Sequence, residues 1–341
     1  MKYQLLGRSG LKVSEICLGT MGFGTEWGWG ADKAKSREVF NAFVEAGGNF
    51  IDTANFYTNG TSEKFLGEFI GNKRDNFVVA TKYSLFENKE NLNASGNSRK
   101  SMMLAVEASL KRLNTDYIDL FYLHVWDNLT PVDEILRGMD DLIRQGKILY
   151  SAISDTPAWV VAKSNTIAEL NGWSQFIGLQ IEYSLLQRTV ERDLIPMAEH
   201  YNMTVLAWSP LAGGALTGKY LKGDKGRIKD SSIRLSEKNT IIVKEVVAIA
   251  EEIGVEPAHI ALKWTMQKPF SCIPIVGATK VEQLAQNLKC LELTLTSEQI
   301  ARLDKASAIE PGFPGSFFME EGVKENLFGG FHSKIAHRQF P

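Results

Sequence analysis

Along this chain, short runs of β-branched and aromatic residues alternate with longer stretches whose apolar positions recur at helical spacing. The short runs fall at 15–20, 50–54, 77–82, 118–124, 148–154, 176–183, 204–210 and 271–277. Between them, residues 36–46 carry Val39, Phe40, Phe43 and Val44 at near-helical spacing, and residues 99–113 place Met102, Val106, Ser109, Leu110 and Leu113 on one face. Residues 131–144 predict a helix with Thr130 as N-cap, Pro131 at its first position, and Asp133 and Glu134 favoured by the helix dipole in its first turn. Gln145-Gly146-Lys147 closes it. Thr156, ahead of Pro157, caps the next helix in the same way, and 281–288 and 296–306 predict two more near the end. Strands alternating with helices predict a parallel sheet, and runs as continuously apolar as Phe77-Val78-Val79-Ala80 belong to strands covered on both faces. Eight such units, with no compositional shift between halves, predict an α/β fold: a closed (β/α)8 TIM barrel rather than an open doubly wound sheet. Residues 3–6 and 11–13, around Gly7-Arg8-Ser9-Gly10, predict a small hairpin placed to plug the barrel bottom. Residues 307–341 form a Gly-, Phe- and Pro-containing tail without clear periodicity, so 1–341 is read as one barrel domain with a C-terminal tail.

Composition narrows the function classes. The 341 residues are 44% hydrophobic and 23% charged, with a formal net charge of −2, which excludes a disordered chain. A net charge near zero gives no electrostatic footprint for nucleic acid. No apolar run approaches the roughly 18 residues of a membrane span, and the N-terminus lacks the apolar segment of a signal peptide. Three widely separated cysteines make neither a disulfide framework nor a metal pattern, which predicts a reducing, cytoplasmic setting.

In a closed barrel the interior is filled by side chains, so chemistry sits where strands end at the C-terminal face. There this sequence places polar groups: Asp52, then Tyr57; Lys82; His124; Ser154-Asp155; Gln180; and Trp208-Ser209-Pro210. A buried charge at a strand end is costly unless paired, and Asp52 and Lys82, from adjacent strands, satisfy each other. Such a set suits proton donation to a carbonyl oxygen. Lys82 beside Tyr57 favours the phenolate and predicts a lowered tyrosine pKa. His124 adds a hydrogen bond to the carbonyl oxygen.

Reduction also needs a hydride source. Gly19-Thr20-Met21-Gly22-Phe23-Gly24 has the wrong spacing for a dinucleotide-binding glycine fingerprint, and no P-loop exists. The barrel alternative is a phosphate site on the loops after the seventh and eighth strands. Those loops hold Gly213, Gly214 and Lys219, and Gly277-Ala278-Thr279-Lys280 leading straight into a helix whose N-terminus attracts phosphate. Trp27, Phe56, Tyr83 and Trp126, with Phe23, Trp29 and Phe86, predict an aromatic pocket wall suited to an aryl or alkyl carbonyl substrate.

At these residues the chain resembles the aldo-keto reductases over nearly its whole length. The resemblance lies in Asp52-Thr53-Ala54-Asn55-Phe56-Tyr57, then Gly60-Thr61-Ser62-Glu63-Lys64-Phe65-Leu66-Gly67, in Val78-Val79-Ala80-Thr81-Lys82, and in Asp116-Tyr117-Ile118-Asp119-Leu120-Phe121-Tyr122-Leu123-His124. It implies a catalytic tetrad of Asp52, Tyr57, Lys82 and His124, and NADPH, rather than NADH, extended across the barrel mouth. The nicotinamide amide would meet Ser154, Asp155 and Gln180, with its ring near Trp208. The pyrophosphate would meet Ser209, Pro210, Leu211, Gly213 and Lys219, and the adenosine end Gly277, Thr279, Gln283, Gln286 and Asn287. Gly19, Thr20 and Met21 resemble the first-strand cofactor contact. Ser154 followed by Asp155, where the family usually has Asn, resembles the aryl-alcohol dehydrogenase-like branch. That implies reduction of aryl or other bulky aldehydes and ketones to alcohols, with Tyr57 as general acid, by a protein free to form homo-oligomers.

Two other classes remain. Trp208-Ser209-Pro210-Leu211-Ala212 and Lys219 are also similar to potassium-channel beta subunits, which implies a cofactor-binding regulatory protein with little turnover. A metal-dependent hydrolase would need several histidines at strand ends, and of His124, His200, His259, His332 and His337 only His124 lies at one, so no metal site is expected.

Overall fold

The computed structural model describes residues 1–336 apart from 225, 227 and 230; parts of the seventh loop and of the tail, His337 among them, lie outside the described residues. Eight parallel strands close into a barrel. They are β3 (Cys17–Gly19), β4 (Phe50–Asp52), β5 (Val78–Tyr83), β6 (Ile118–Leu123), β7 (Ile148–Ser154), β8 (Phe176–Glu182), β9 (Thr204–Trp208) and β10 (Cys272–Gly277), with β10 pairing back onto β3. The predicted TIM barrel is therefore the observed fold. Each strand is shorter than or equal to its apolar run, except β5, which begins one residue later and continues through Tyr83.

Barrel strands present alternate residues to the two sides. In β5, Val78 and Ala80 belong to the interior cluster with Phe50, Leu120, Tyr122, Ala152, Leu206 and Ile273. Val79 and Tyr83 join the outer layer between strands and helices. The same alternation turns Asp52, Lys82, Ser154, Gln180 and Trp208 inward near the C-terminal ends of their strands. Register sets Ser154 opposite Gln180 and staggers the others: Asp52 is opposite Ala80, two residues before Lys82, Lys82 is opposite Tyr122, and Trp208 is opposite Glu182.

The outer ring comprises α1 (Lys33–Glu45), α2 (Thr61–Ile70), α3 (Arg99–Leu113), α4 (Val132–Arg144), α5 (Ala158–Asn171), α6 (Leu194–His200), α7 (Glu237–Ile253), α8 (Pro257–Met266), α9 (Val281–Leu288) and α10 (Ser297–Ala306). The spans predicted at 99–113 and 281–288 are reproduced. Helix α1 starts three residues before its predicted span because the Asp32 carboxylate caps it, accepting from the Lys35 amide at 2.9 Å. The predicted caps of α4 and α5 are displaced by one residue. Pro131 and Pro157 occupy the cap position itself, because the threonine hydroxyls before them are used elsewhere. Thr130 Oγ1 donates to Asp127 Oδ2 and Thr156 Oγ1 donates to the Ser154 carbonyl.

Strands β1 (Tyr3–Leu5) and β2 (Lys12–Ser14) form the antiparallel hairpin. Leu6 and Val13 are fully buried in the interior cluster with residues from the lower barrel, so the hairpin is the plug. The Gly7 amide donates to Thr204 Oγ1 at 2.8 Å, where β9 begins. The tail departs from its featureless sequence: it contains two short helices, α11 (Gly315–Met319) and α12 (Glu321–Phe328). Arg188 donates to the Asp304 carbonyl and Ser307 Oγ, and Arg192 to the Glu310 carbonyl, which ties the start of the tail to the loop after β8. Phe313, Phe317 and Phe318 are exposed. Among the described residues no helix is long and apolar enough to cross a membrane.

Removing the plug's apolar body should be costly without touching the mouth. Leu6→Ala is expected to lower unfolding free energy by about 2–5 kcal/mol in urea titration. A change close to zero would show that the hairpin does not close the core.

Candidate active site

The site is built around one ammonium group. Lys82 is fully buried in the barrel interior, and its Nζ donates to Asp52 Oδ2 at 2.6 Å, to the Thr53 carbonyl at 2.7 Å and to Tyr57 Oη at 3.2 Å. An ammonium has three protons and no acceptor, so all of its donors are satisfied. The other Asp52 oxygen accepts from Gln180 Nε2 at 2.8 Å, a bond across the barrel that sequence spacing could not reveal. Tyr122, inward and fully buried, lies opposite on the next strand, with Lys82 Nζ 5.6 Å from its ring centre. The His124 ring meets Tyr57 edge-on at 6.0 Å between centroids. Asp52, Tyr57, Lys82 and His124 are thus brought together at one end of the barrel.

Tyr57 reaches this position through an unusual turn. Thr58 and Asn59 have φ of 47° and 55°, and Gly60 continues in the left-handed region at 87°. Left-handed backbone costs an ordinary residue roughly 1–2 kcal/mol, and a β-branched residue adopts it rarely. Tertiary contacts hold the turn. Thr58 Oγ1 donates to the Phe23 carbonyl at 2.6 Å and accepts from the Ser62 amide. Next to it, the hydroxyls of Thr20, Thr53 and Ser62 form a buried knot, with Thr20 Oγ1 also donating to the Asp52 carbonyl. The Thr20 hydroxyl is therefore committed inside the protein, and so is its backbone: the amide donates to the Asp52 carbonyl, and the carbonyl accepts from the Phe23 amide and from Ser62 Oγ.

Behind the turn lies an ionic network that the sequence reading did not include. Glu63 is fully buried; its oxygens accept from Thr81 Oγ1 at 2.6 Å and from Arg112 Nε at 2.5 Å. The same guanidinium makes a fork onto Glu87 at 2.9 and 3.1 Å, and Glu87 Oε1 accepts from Asn55 Nδ2 at 2.7 Å. The loop after β6 is fixed separately. Asn97 and Asp127 exchange two bonds of 2.7 Å, and Asn97 Nδ2 donates to the Val125 carbonyl.

Protonation states follow from burial against these charges. Burial pushes the Tyr57 phenol up; Lys82 pulls it down but does not win, so its pKa lies above the ordinary value. This corrects the lowered pKa predicted from sequence. Burial pushes Lys82 down, yet the Asp52 and Tyr57 charges outweigh it and hold its pKa above the usual lysine value. His124 is pushed down to about 3 by burial and by the nearby ammonium, so its ring is neutral, and its Nδ1 is buried without a partner.

Cofactor candidates fall along a neighbouring arc. Gly19 to Met21 end β3, Ser154 and Asp155 end β7, Gln180 lies in β8, Trp208 to Leu211 end β9, and Gly277 and Thr279 end β10. Gly213 and Lys219 sit in two tight turns that follow β9. Asp155, at φ 40°, accepts from Trp208 Nε1 at 3.1 Å. The Ser154 hydroxyl is buried without a partner. Helix α9 begins at Val281, and its N-cap residue Lys280 places no side-chain cap on the first amides. Gln283 is turned onto Thr279, accepting from its amide and hydroxyl, while Gln286 is exposed and Asn287 buried on the same helix.

The aromatic wall is only partly as predicted. Trp27 lies 5.9 Å from Trp29 and 5.5 Å from Phe56, and Phe56 lies 5.1 Å from Phe86, a continuous aromatic row. Trp126 packs edge-on against Trp159 of α5 at 5.6 Å. Tyr83 does not belong to the wall. It points outward, stacks on Phe121 at 5.4 Å and donates to the Asn97 carbonyl. Strand alternation dictates this, since Tyr83 follows inward-facing Lys82. The described residues contain no cluster of three or more groups able to hold a metal ion, and the cysteines are free and buried.

Comparison with known proteins agrees with this geometry. The model of the aldo/keto reductase family matches residues 15–308. An aryl-alcohol dehydrogenase (NADP(+)) of Phanerodontia chrysosporium is 40% identical, covering 92% of this chain and 88% of that protein. A norsolorinic acid reductase of Aspergillus flavus is 38% identical, covering 93% and 83%. A putative aryl-alcohol dehydrogenase of Saccharomyces cerevisiae is 35% identical, covering 92% and 88%.

The buried acids and bases predict an alkaline limit to stability. Lys82 has a folded pKa above its free value of 10.5, and Tyr57 above 10.0. Groups raised on folding stabilise fully below their unfolded pKa and lose that contribution as pH rises through the folded value. Stability from these groups is expected to hold below about pH 10 and to fall above it. In an alkaline titration, exposed tyrosines should ionise first. A second step of phenolate absorbance should coincide with loss of circular dichroism. Complete ionisation with the dichroism intact would contradict this burial.

Proposed function

Because this chain belongs to the aldo/keto reductase family, we propose that it reduces aromatic and other bulky aldehydes and ketones with NADPH, Tyr57 acting as the acid. The observation that carries the reading is the convergence on Tyr57 of one buried ammonium, held by Asp52, and one neutral imidazole. Tyr57 keeps its proton throughout the neutral range and so has one to give. When it gives that proton to the carbonyl oxygen, the phenolate left behind faces Lys82 Nζ in a site sheltered from water, where the attraction is strong. Asp52 and the Thr53 carbonyl hold the ammonium in place. Neutral His124 donates a ring N–H to the same oxygen and polarises the carbonyl without adding a competing charge.

The residues present fit a dinucleotide. The unpartnered Ser154 hydroxyl, with Gln180 and Asp155, suits a carboxamide, and the uncapped start of α9 suits a phosphate. Lys280 is exposed and makes no ion pair among the described residues, which leaves it free for the additional phosphate that distinguishes NADPH from NADH. The NADP(+) in the name of the Phanerodontia relative supports the same choice. When bound, the reduced cofactor supplies the hydride for the carbonyl carbon; with the Tyr57 proton on oxygen, the product is an alcohol. The row of Trp27, Trp29, Phe56 and Phe86 supports an aromatic substrate, as do the relatives named for aryl alcohols.

Tyr57→Phe is expected to lower kcat for an aryl aldehyde by about 10²–10⁴-fold while fluorescence titration shows unchanged NADPH affinity. Near-normal turnover would remove Tyr57 from the reaction. The same titration should give tighter binding of NADPH than of NADH, and Lys280→Ala should narrow the gap. Equal affinities would defeat the NADPH assignment.

A further inference from the structure

The tyrosine turn is anchored to a residue outside the set of four that meets at Lys82. We propose that Arg112, on α3, is a positioning residue that sets Tyr57 through two carboxylates; this rests on the reading of Tyr57 as the acid. Its side chain reaches the Tyr57 segment on both sides in sequence, through Glu87 before the tyrosine and by packing beside Gly60 after it. Before the tyrosine, it forks onto Glu87, whose Oε1 accepts from Asn55 Nδ2 at 2.7 Å. After it, Gly60 lies so close that an added Cβ would stand 2.9 Å from Arg112 Cδ, at φ 87°. Beside it, Nε reaches Glu63, which accepts from the hydroxyl of Thr81, the neighbour of Lys82 in β5.

The backbone explains why such an anchor is needed. Of the three successive left-handed residues Gly60 adopts the shape freely and Asn59 tolerates it, but Thr58 does not, and strained backbone persists only where its surroundings over-determine it. Asp52 and Lys82 are fixed by strand pairing, whereas Tyr57 lies beyond the end of β4 and depends on this turn for its distance to Lys82. A planar fork serves two carboxylates at fixed angles; a lysine ammonium is a point charge and does not. Losing the fork should therefore let Tyr57 drift while the Asp52–Lys82 pair stays in place.

The test uses the full chain with Arg112→Lys, Arg112→Met, Glu87→Gln and, in parallel, Tyr57→Phe. Benzaldehyde is the substrate, with NADPH titrations, melting temperature and the solvent deuterium isotope effect as readouts. A misplacement near 1 Å costs up to about 10²-fold in rate, so Arg112→Lys should lower kcat about 10–100-fold. NADPH affinity and KM should hold. The solvent isotope effect on kcat should increase, because proton transfer becomes limiting. A lower melting temperature with kcat per NADPH-binding site and isotope effect unchanged would overturn the proposal, leaving Arg112 as a structural prop. Where the Arg112 variants do not fold, Glu87→Gln, which retains the Arg112–Glu63 pair, carries the test. It should show the same pattern on a smaller scale, and unchanged kcat would overturn the proposal. An inactive Tyr57→Phe beside a fully active Arg112→Lys defeats the positioning role alone. An active Tyr57→Phe defeats the acid assignment and this inference with it.

Discussion

The mouth of this barrel depends on an ion pair placed where ions are expensive. Moving an ammonium out of water costs several kcal/mol, and the pair recovers that only with good geometry and every proton used. Lys82 meets both conditions, with three acceptors for three protons. Each acceptor comes from a different structural necessity. Asp52 is the last inward residue of its strand, the Thr53 carbonyl is freed because β4 ends there, and Tyr57 is delivered by the turn that follows. Closure of the barrel brings a fourth partner: Gln180, four strands away, satisfies the second Asp52 oxygen. A buried pair of this kind adds little net stability compared with an apolar core. Its presence at the strand ends accords with the proposed function, and the remaining hydrophobic barrel sustains it.

That support takes two forms. Below the pair, apolar side chains fill the interior down to the hairpin plug at Leu6 and Val13. Around it, polar side chains pin the loops: the hydroxyl knot of Thr20, Thr53 and Ser62, the Asn97–Asp127 exchange, and the Glu63–Arg112–Glu87 fork. The division is physical. Strand residues are positioned by sheet register at no further cost, but a loop residue must be positioned by side chains, and a left-handed loop needs more of them. The density of hydrogen bonds around residues 55–63 follows from that need.

The sequence disclosed the parts governed by short periods. Eight apolar runs and the intervening amphipathic stretches were enough for the barrel, and the polar residues at strand ends were enough to gather Asp52, Lys82, His124 and Tyr57. It disclosed less where one residue of register decides. Tyr83 reads as a pocket aromatic because it follows Lys82, yet that adjacency in a strand is what turns it to the other side. Counting by two from Val78 would have shown it. Thr130 and Thr156 look like caps, but Asp127 and the Ser154 carbonyl compete for their hydroxyls, and proline takes the cap position. Contacts between residues far apart in sequence leave no local trace. Asn55, Glu63, Glu87 and Arg112 are individually unremarkable polar residues, and only the folded chain brings them together. The tail helices gave no periodic signal because neither buries a face against the barrel, so no apolar stripe was required of them.

The protonation of Tyr57 joins these levels. Charge alone suggests that Lys82 should make the phenol a stronger acid at rest, but burial opposes it and prevails. On the proposed chemistry this is the useful direction. A phenol acidified below neutrality would spend its resting state as phenolate, with no proton to donate, held by the very ammonium meant to help it. Burial instead keeps the proton on until a carbonyl oxygen begins to gain electron density. At that moment the ammonium 3.2 Å away stabilises the anion being formed more than the neutral group being consumed. His124 follows the same logic: kept neutral by burial, it would donate a hydrogen bond in the proposed reaction without bringing a second cation that would compete with Lys82 for the developing charge. On this proposal low dielectric works on both sides of the reaction, holding the acid protonated before transfer and strengthening its counter-charge afterwards, and both effects require that the turn carrying Tyr57 keep it close to Lys82.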